Sequence, residues 1–267
     1  MAQLTSHATA SSASPASRGI DLYLDLMKRV LINWVYRDMA NTTLGRDLRA
    51  DPEPWRRSPI EGWREPCHTM STVKRLDNVQ RCVEDALNRD VPGDFIETGV
   101  WRGGMPIFMR AILAARGITD RTVWVADSFR GLPRPDVAHY PADAGYDLEP
   151  IAELRISLEQ VRSHFDRYSL LDDQVRFLVG WFRDTLPTAP IERLAVMRLD
   201  GDLYESTMDA LVHLYPKLSP GGYVIVDDYG AFLPCRRAVH DYRAAHGITE
   251  PILPVDWTCV YWRRDMS

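Results

Sequence analysis

Apolar residues along the chain recur with two different periods, and the points where one period gives way to the other mark the predicted elements. Ile20, Tyr23, Leu24, Met27, Val30, Leu31, Trp34 and Val35 return every three or four positions, which predicts an amphipathic helix over 19–37. Its apolar face has to cover the flank of a core, a second subunit or a bound acceptor. Residues 38–66 break this rhythm with Pro52, Pro54, Pro59 and Pro66 yet keep Trp55 and Trp63, the composition of a lid rather than of a helix or a plain linker. Helical spacing resumes over 68–88, with Val73, Leu76, Val79, Val83 and Leu87 on one face and Thr69 or Ser71 as the cap.

From residue 94 onward, short β-branched and aromatic runs alternate with helices. Strands are predicted at 94–100, 122–127, 175–181, 194–200 and 223–226, and helices from about 105 and over 151–168, 205–218 and 235–246. That alternation builds an α/β, Rossmann-like, doubly wound and mostly parallel sheet, and the alternating run 257–263 closes it with an antiparallel terminal strand. Residues 132–149 hold Pro133, Pro135, His139, Tyr140, Pro141 and Tyr146 in an irregular insertion after the second strand. Loops in that position face the ligand edge of such a sheet, so the insertion is a candidate acceptor wall. The chain therefore divides into a disordered tail (1–18), an N-terminal helical and lid extension (19–90), and a core (91–267) that carries the lid insertion 132–149.

Composition narrows the partners. The 267 residues are 45% apolar and 26% charged, which suits one globular domain with decorations. A formal charge of -5 with no run of lysine and arginine argues against nucleic acid and anionic membrane. No apolar run approaches the roughly 18 residues of a membrane span, and the Ser- and Ala-rich start has neither the basic head nor the apolar centre of a signal peptide. Cys67, Cys82, Cys235 and Cys259 stand far apart without metal-binding spacing, which fits buried, reduced thiols in a cytoplasm.

The first core strand turns into its helix through Glu97-Thr98-Gly99-Val100-Trp101-Arg102-Gly103-Gly104. A dinucleotide fingerprint would need glycine at position 101, where this chain has tryptophan. An acid followed by Gly99 and Gly103 suits the glycine turn of an S-adenosylmethionine (SAM) site, where backbone approaches the methionyl part and Glu97 receives its ammonium. An ordinary strand-to-helix glycine turn is the alternative. Asp127 ends the second strand where doubly wound sheets present a carboxylate to ribose hydroxyls. Gly180-Trp181 ends the third, where the indole either covers adenine or fills the core. Leu218-Ser219-Pro220-Gly221-Gly222 before the fifth strand is a turn characteristic of SAM-dependent methyltransferases.

Asp200-Gly201-Asp202 ends the fourth strand and Asp227-Asp228 the fifth, so parallel neighbours bring three or four carboxylates to one edge. Like charges this close raise one another's pKa or recruit a cation, and hard oxygen ligands favour Mg²⁺ over Ca²⁺ or Mn²⁺. The competing role for Asp202 and Asp228 is to cap the helices that follow. A divalent cation beside SAM can lower the pKa of an acceptor hydroxyl and align it with the methyl group, with Asp200 or Asp202 taking the proton and His139 and His240 as rival bases.

At this point the chain resembles a family. The blocks Tyr23-Leu24-Asp25-Leu26-Met27-Lys28-Arg29, His68-Thr69-Met70 and Lys74-Arg75-Leu76-Asp77-Asn78, the 97–104 turn, and Val123-Trp124-Val125-Ala126-Asp127-Ser128-Phe129 are similar to the macrocin O-methyltransferase family. So are Leu170-Leu171-Asp172-Asp173-Gln174-Val175-Arg176-Phe177, Gly180-Trp181-Phe182, Arg198-Leu199-Asp200-Gly201-Asp202 and Asp227-Asp228-Tyr229, in the same order from about residue 20 to Arg264. These bacterial enzymes methylate sugar hydroxyls of macrolides, aminocoumarins and related antibiotics. The resemblance implies a class I SAM-dependent methyltransferase with Mg²⁺ held by Asp200, Asp227 and Asp228, Asp200 also serving as general base. It implies that Glu97, Asp127, Ser128, Gly180 and Trp181 line the SAM pocket, with Thr69 and Met70 beside it. Gly230-Ala231-Phe232-Leu233-Pro234 and Asp256-Trp257-Thr258-Cys259 depart from the macrolide-sugar members. The expected acceptor is a deoxysugar hydroxyl of a glycosylated natural product; a catechol, a metal-dependent glycosyltransferase built on Asp200-Gly201-Asp202, and a SAM-binding sensor are the alternatives. The apolar surface of 19–66 predicts a homo-oligomer, at least a dimer.

Overall fold

A computed structural model of the chain describes residues 15–35 and 67–265, so the lid expected at 38–66 and residues 1–14 of the expected tail lie outside the described residues. Strands β1 (Asp94–Thr98), β2 (Val123–Asp127), β3 (Val175–Val179), β4 (Leu194–Leu199) and β5 (Leu218–Val226) run parallel. Two more, β6 (Leu253–Pro254) and β7 (Val260–Arg263), complete a seven-stranded sheet in the order β3-β2-β1-β4-β5-β7-β6, with β7 antiparallel to both its neighbours. The helices are α1 (Pro15–Leu31), α2 (Val73–Asn88), α3 (Gly104–Ala115), α4 (Leu158–Arg167), the single turn α5 (Phe182–Thr185), α6 (Tyr204–Leu214) and α7 (Leu233–Ala245). None of the described helices is long and apolar enough to cross a membrane.

Alternation along each strand feeds two cores, one on each face of the sheet. Phe95 packs with Leu24, Leu76, Phe108 and Phe165 under α1 to α4, while its neighbour Ile96 packs with Met197, Leu211, Val239 and Trp262 under α6 and α7. Strands covered on both faces read as continuous apolar runs, which is why they were legible in the sequence. Winding reverses between β1 and β4, and the carboxyl ends of the strands open a crevice there.

Several boundaries differ from the periodicity, each for a local reason. Helix α1 begins at Pro15, so residues 15–18 of the expected tail are helical; proline suits a first turn, where its missing N–H is no loss. It stops at Leu31 rather than 37 because Asn33 turns left-handed (φ 53°) and the Trp34 N–H returns to the Arg29 carbonyl at 2.7 Å. Helix α2 starts at Val73 under a Thr72 cap, not at 68; Thr69, an expected cap, instead accepts the Ser71 N–H at 3.1 Å. The helix expected over 151–168 begins at Leu158, where Ser157 and Gln160 form a capping box. The helix expected over 205–218 ends at Leu214, and β5 absorbs the proline-glycine turn as a register shift against β4, with Gly221 at φ 83°.

The insertion 132–149 is irregular as expected, apart from a short turn at Pro141–Asp143. Asp143 is fully buried and accepts the N–H groups of Tyr204 at 2.6 Å and Glu205 at 3.1 Å, so it caps α6 from a distant loop. Neither Asp202 nor Asp228 fills that capping role: the residues before α6 and α7 are Leu203 and Phe232, without a side-chain cap. Asp143→Ala is expected to lower unfolding stability by about 1–2 kcal/mol, the usual worth of an N-cap carboxylate. Urea denaturation checks this, and Asp143→Asn, which keeps an acceptor, should lose less.

Candidate active site

Four strand ends meet at the crevice, and each contributes through its turn. At the end of β1, Gly99 adopts φ 81°, and a Cβ there would stand 1.7 Å from the Asp200 carbonyl oxygen on β4. Only glycine lets the two strands approach so closely. Asp127 at the end of β2 accepts the Val100 N–H at 2.8 Å and the Phe129 N–H at 2.7 Å, tying the first two turns together. Gly180 donates its N–H to the Asp127 carbonyl at 2.9 Å, and Trp181 follows it into α5. Trp101, Phe129 and Asp202, at the ends of β1, β2 and β4, all carry left-handed backbones that such side chains rarely adopt.

These ends surround a cleft of about 750 Å³. Of the expected residues, Met70, Gly99, Asp127, Ser128, Trp181 and Asp200 line it, together with Trp101, Asp202, Glu205 and Asp209. The other expected cofactor residues stand behind the wall. Thr69 is buried against Gly104, Gly103 caps α3 beside Val161, Gly180 shapes the turn before Trp181, and Glu97 is 1% exposed beneath the surface. Glu97 keeps one buried carboxylate oxygen without a hydrogen-bond donor. Ser128 binds the Gly131 carbonyl through its hydroxyl, at 2.7 Å, and so shapes the loop below the cleft.

Asp200, Asp227 and Asp228 each offer an oxygen within 4.8 Å of the others, the grouping expected for a hard cation. Asp200 belongs both to this group and to the cleft wall. Burial and then its acidic neighbours Asp200 and Asp227 push the Asp202 carboxyl up to about 8. Burial, followed by the charge of Asp202, raises Asp228 well above the usual carboxylate range. Hard oxygens that repel one another in this way are the chemistry a divalent cation relieves.

Two arginines that sequence reasoning left without a role hold these acids. Arg198, 1% exposed, donates through one terminal nitrogen to Glu97 and to Asp200 (2.7 Å) and through the other to Asp227 and the Ser71 hydroxyl (3.1 Å). Arg75, 3% exposed, bonds Asp227 and, at 2.8 Å, Asp256. The signal available for Arg198 was a charged residue inside the otherwise apolar strand Leu194–Leu199. The rival bases lie elsewhere: exposed His139 pairs with Asp136 at 2.7 Å, His240 bonds the Tyr229 hydroxyl at 2.8 Å, and neither lines the cleft.

With this geometry in place, comparison with known proteins is specific. A family profile described as macrocin-O-methyltransferase (TylF) matches residues 20–264. The chain is 58% identical over 244 residues to the 8-demethyl-8-(2,3-dimethoxy-alpha-L-rhamnosyl)-tetracenomycin-C 4′-O-methyltransferase of Streptomyces olivaceus, covering 91% of this chain and 92% of that one. It is 53% identical over 251 residues to the mycinamicin III 3″-O-methyltransferase of Micromonospora griseorubida, covering 93% and 98%. Among solved structures, that of the O-methyltransferase NovP superposes with a TM-score of 0.85 at 51% identity, covering 92% of this chain and 99% of that chain.

Gly99→Ala is expected to eliminate SAM binding in titration calorimetry, because the added methyl meets the Asp200 backbone and forces β1 and β4 apart. Wild-type affinity in a folded Gly99→Ala protein would show that the close approach does not shape the cofactor pocket.

Proposed function

The chain belongs to the macrocin-O-methyltransferase family and is an O-methyltransferase, and we propose that it moves the methyl group of SAM to a deoxysugar hydroxyl of a glycosylated antibiotic or related natural product, with Mg²⁺ at the acid edge. The observation that carries this reading is the double membership of Asp200, which lies both on the cleft wall with Gly99 and Asp127 and among the clustered acids Asp227 and Asp228. The Streptomyces olivaceus relative is named for the 4′ oxygen of a rhamnosyl-tetracenomycin, which supports a sugar acceptor. Membership of a methyltransferase family along nearly the whole chain displaces the glycosyltransferase alternative.

In this mechanism Glu97 receives the cofactor's ammonium at its unpaired, buried oxygen once the pocket admits it, Asp127 takes the ribose hydroxyls at the lone pairs left by its backbone donors, and Trp181 lies along the adenine. Met70, Ser128, Gly99 and Gly103 shape the same pocket and Gly180 sets the approach to it, with Thr69 packed behind. Asp200, Asp227 and Asp228 would hold the cation, which when bound would supply Lewis acidity that lowers the pKa of the acceptor hydroxyl. Asp200 takes the proton from that hydroxyl. The cleft walls exclude water from the reacting atoms, and the aromatic insertion 132–149 encloses the sugar and its aglycone. We propose a homo-oligomer, since α1 leaves Leu22 and Leu26 exposed beside its buried stripe, and a cytoplasmic location, in keeping with four free, buried cysteines.

Chelation is expected to abolish methyl transfer and Mg²⁺ to restore it, with Asp200→Asn at least roughly a hundredfold slower than wild type through loss of the general base. Full activity in excess chelator, from protein free of metal by elemental analysis, would remove Mg²⁺ from the reading. Mass spectrometry across glycosylated antibiotics lacking one sugar methyl tests the acceptor: a gain of one methyl on a sugar supports it. Efficient methylation of simple catechols, with every glycoside left untouched, would replace the sugar by a catechol.

A further inference from the structure

Arg198 is the charged residue of a strand that is otherwise apolar. The strand Leu194–Leu199 is buried along its whole length, and Arg198 faces Glu97 on β1 and Ile225 on β5 in register. A buried ionic group is weak evidence for stability, since an apolar residue of similar volume usually serves the fold as well. Its Nε remains a buried donor without a partner, and one oxygen of Glu97 remains a buried acceptor without one. The side chain therefore binds several neighbours while leaving its own hydrogen bonding incomplete. Those neighbours are Glu97, Asp200, Asp227 and Ser71, gathered by the two terminal nitrogens of one planar group. Glu97 lies behind the cofactor cleft and Asp200 and Asp227 belong to the acid edge, so a single guanidinium touches both halves of the site. Arg75 makes an informative contrast, because it reaches Asp227 and Asp256 but not Glu97.

We propose that Arg198 is the positioning residue of the reaction: its fork fixes Glu97 for the cofactor and Asp200 and Asp227 for the acceptor side at once, so that one side chain sets cofactor affinity and turnover together. This rests on the SAM and acid-edge roles given above. Lysine cannot substitute, since a point charge on a flexible stem cannot span three carboxylates in a fixed plane.

Arg198→Lys, which keeps the charge, is compared with Arg75→Lys, with folding verified by circular dichroism and urea unfolding. SAM affinity is measured by calorimetry in EDTA, and kcat and the acceptor KM in saturating Mg²⁺. Arg198→Lys is expected to weaken SAM and to lower kcat by roughly 10–100-fold each, the usual cost of losing a residue that orients ligating groups, with acceptor KM little changed. Arg75→Lys should lower kcat while leaving SAM affinity within about twofold of wild type, because it does not reach Glu97. Ser71→Ala, which loosens the guanidinium without removing it, should move SAM affinity and kcat in the same direction by smaller factors, and it decides the matter if Arg198→Lys does not fold. A folded Arg198→Lys with wild-type SAM affinity, an Arg75→Lys that weakens SAM as much, or, where Arg198→Lys does not fold, a Ser71→Ala that moves neither readout would each overturn the proposal. Failure of the underlying reading looks different: the wild-type enzyme itself would then bind no SAM or need no Mg²⁺.

Discussion

Carboxylates brought to one sheet edge repel, and the architecture around the cleft is arranged to keep them there. Parallel β4 and β5 end side by side, which places Asp200 and Asp202 against Asp227 and Asp228 whatever the acids themselves prefer. Burial multiplies the repulsion, because water no longer screens it. Arg198 and Arg75 answer part of that charge from below, each almost entirely buried. What stays unbalanced gathers at the acid edge, where burial and their acidic neighbours hold the Asp202 and Asp228 carboxyls well above the usual range. A site of this kind is held in tension by the sheet, and the clustering of its acids follows from topology as much as from the residues.

The backbone carries a matching constraint. Gly99 lets β1 meet β4 at the point where winding reverses, and Asp127 straps the two adjoining turns to one another. Left-handed Trp101, Phe129 and Asp202 show that the strand ends are bent sharply to aim loops into the crevice. Such conformations persist only where the surroundings over-determine them, and here the largely buried central strands β1, β2 and β4 do so.

Much of this was legible in the sequence, because strands buried on both faces must read as apolar runs and each run ended in an acid or a glycine. The lining residues Gly99, Asp127, Trp181 and Asp200 stood at those ends. Helix limits were less legible, since Asn33 and Thr72 end and begin helices by local hydrogen bonds that hydrophobic spacing does not register. Glu97, Thr69, Gly103 and Gly180 were expected at the cofactor itself, yet stand one layer behind the cleft wall; a motif reports proximity in the chain, not which atoms reach the surface. Arg198, Arg75 and Asp143 escaped a functional reading because their partners are remote in sequence, as Arg75 with Asp227 and Asp256, or Asp143 with Tyr204.

The path Asp227–Arg75–Asp256 joins an early helix to the loop before the last strand, and the Thr258 hydroxyl adds a bond to the Asp227 carbonyl at 2.7 Å. During synthesis the chain emerges from its amino end, so Arg75 waits through most of translation for the partner that finally locks it. A nascent chain that has folded β1 to β5 would already pair Asp227 with Arg75 and Arg198, but would lack the Asp256 carboxylate behind Arg75 and the Thr258 hydroxyl on the Asp227 carbonyl. The closing hairpin therefore completes the support of the acid edge last, after every acid in it is already in place.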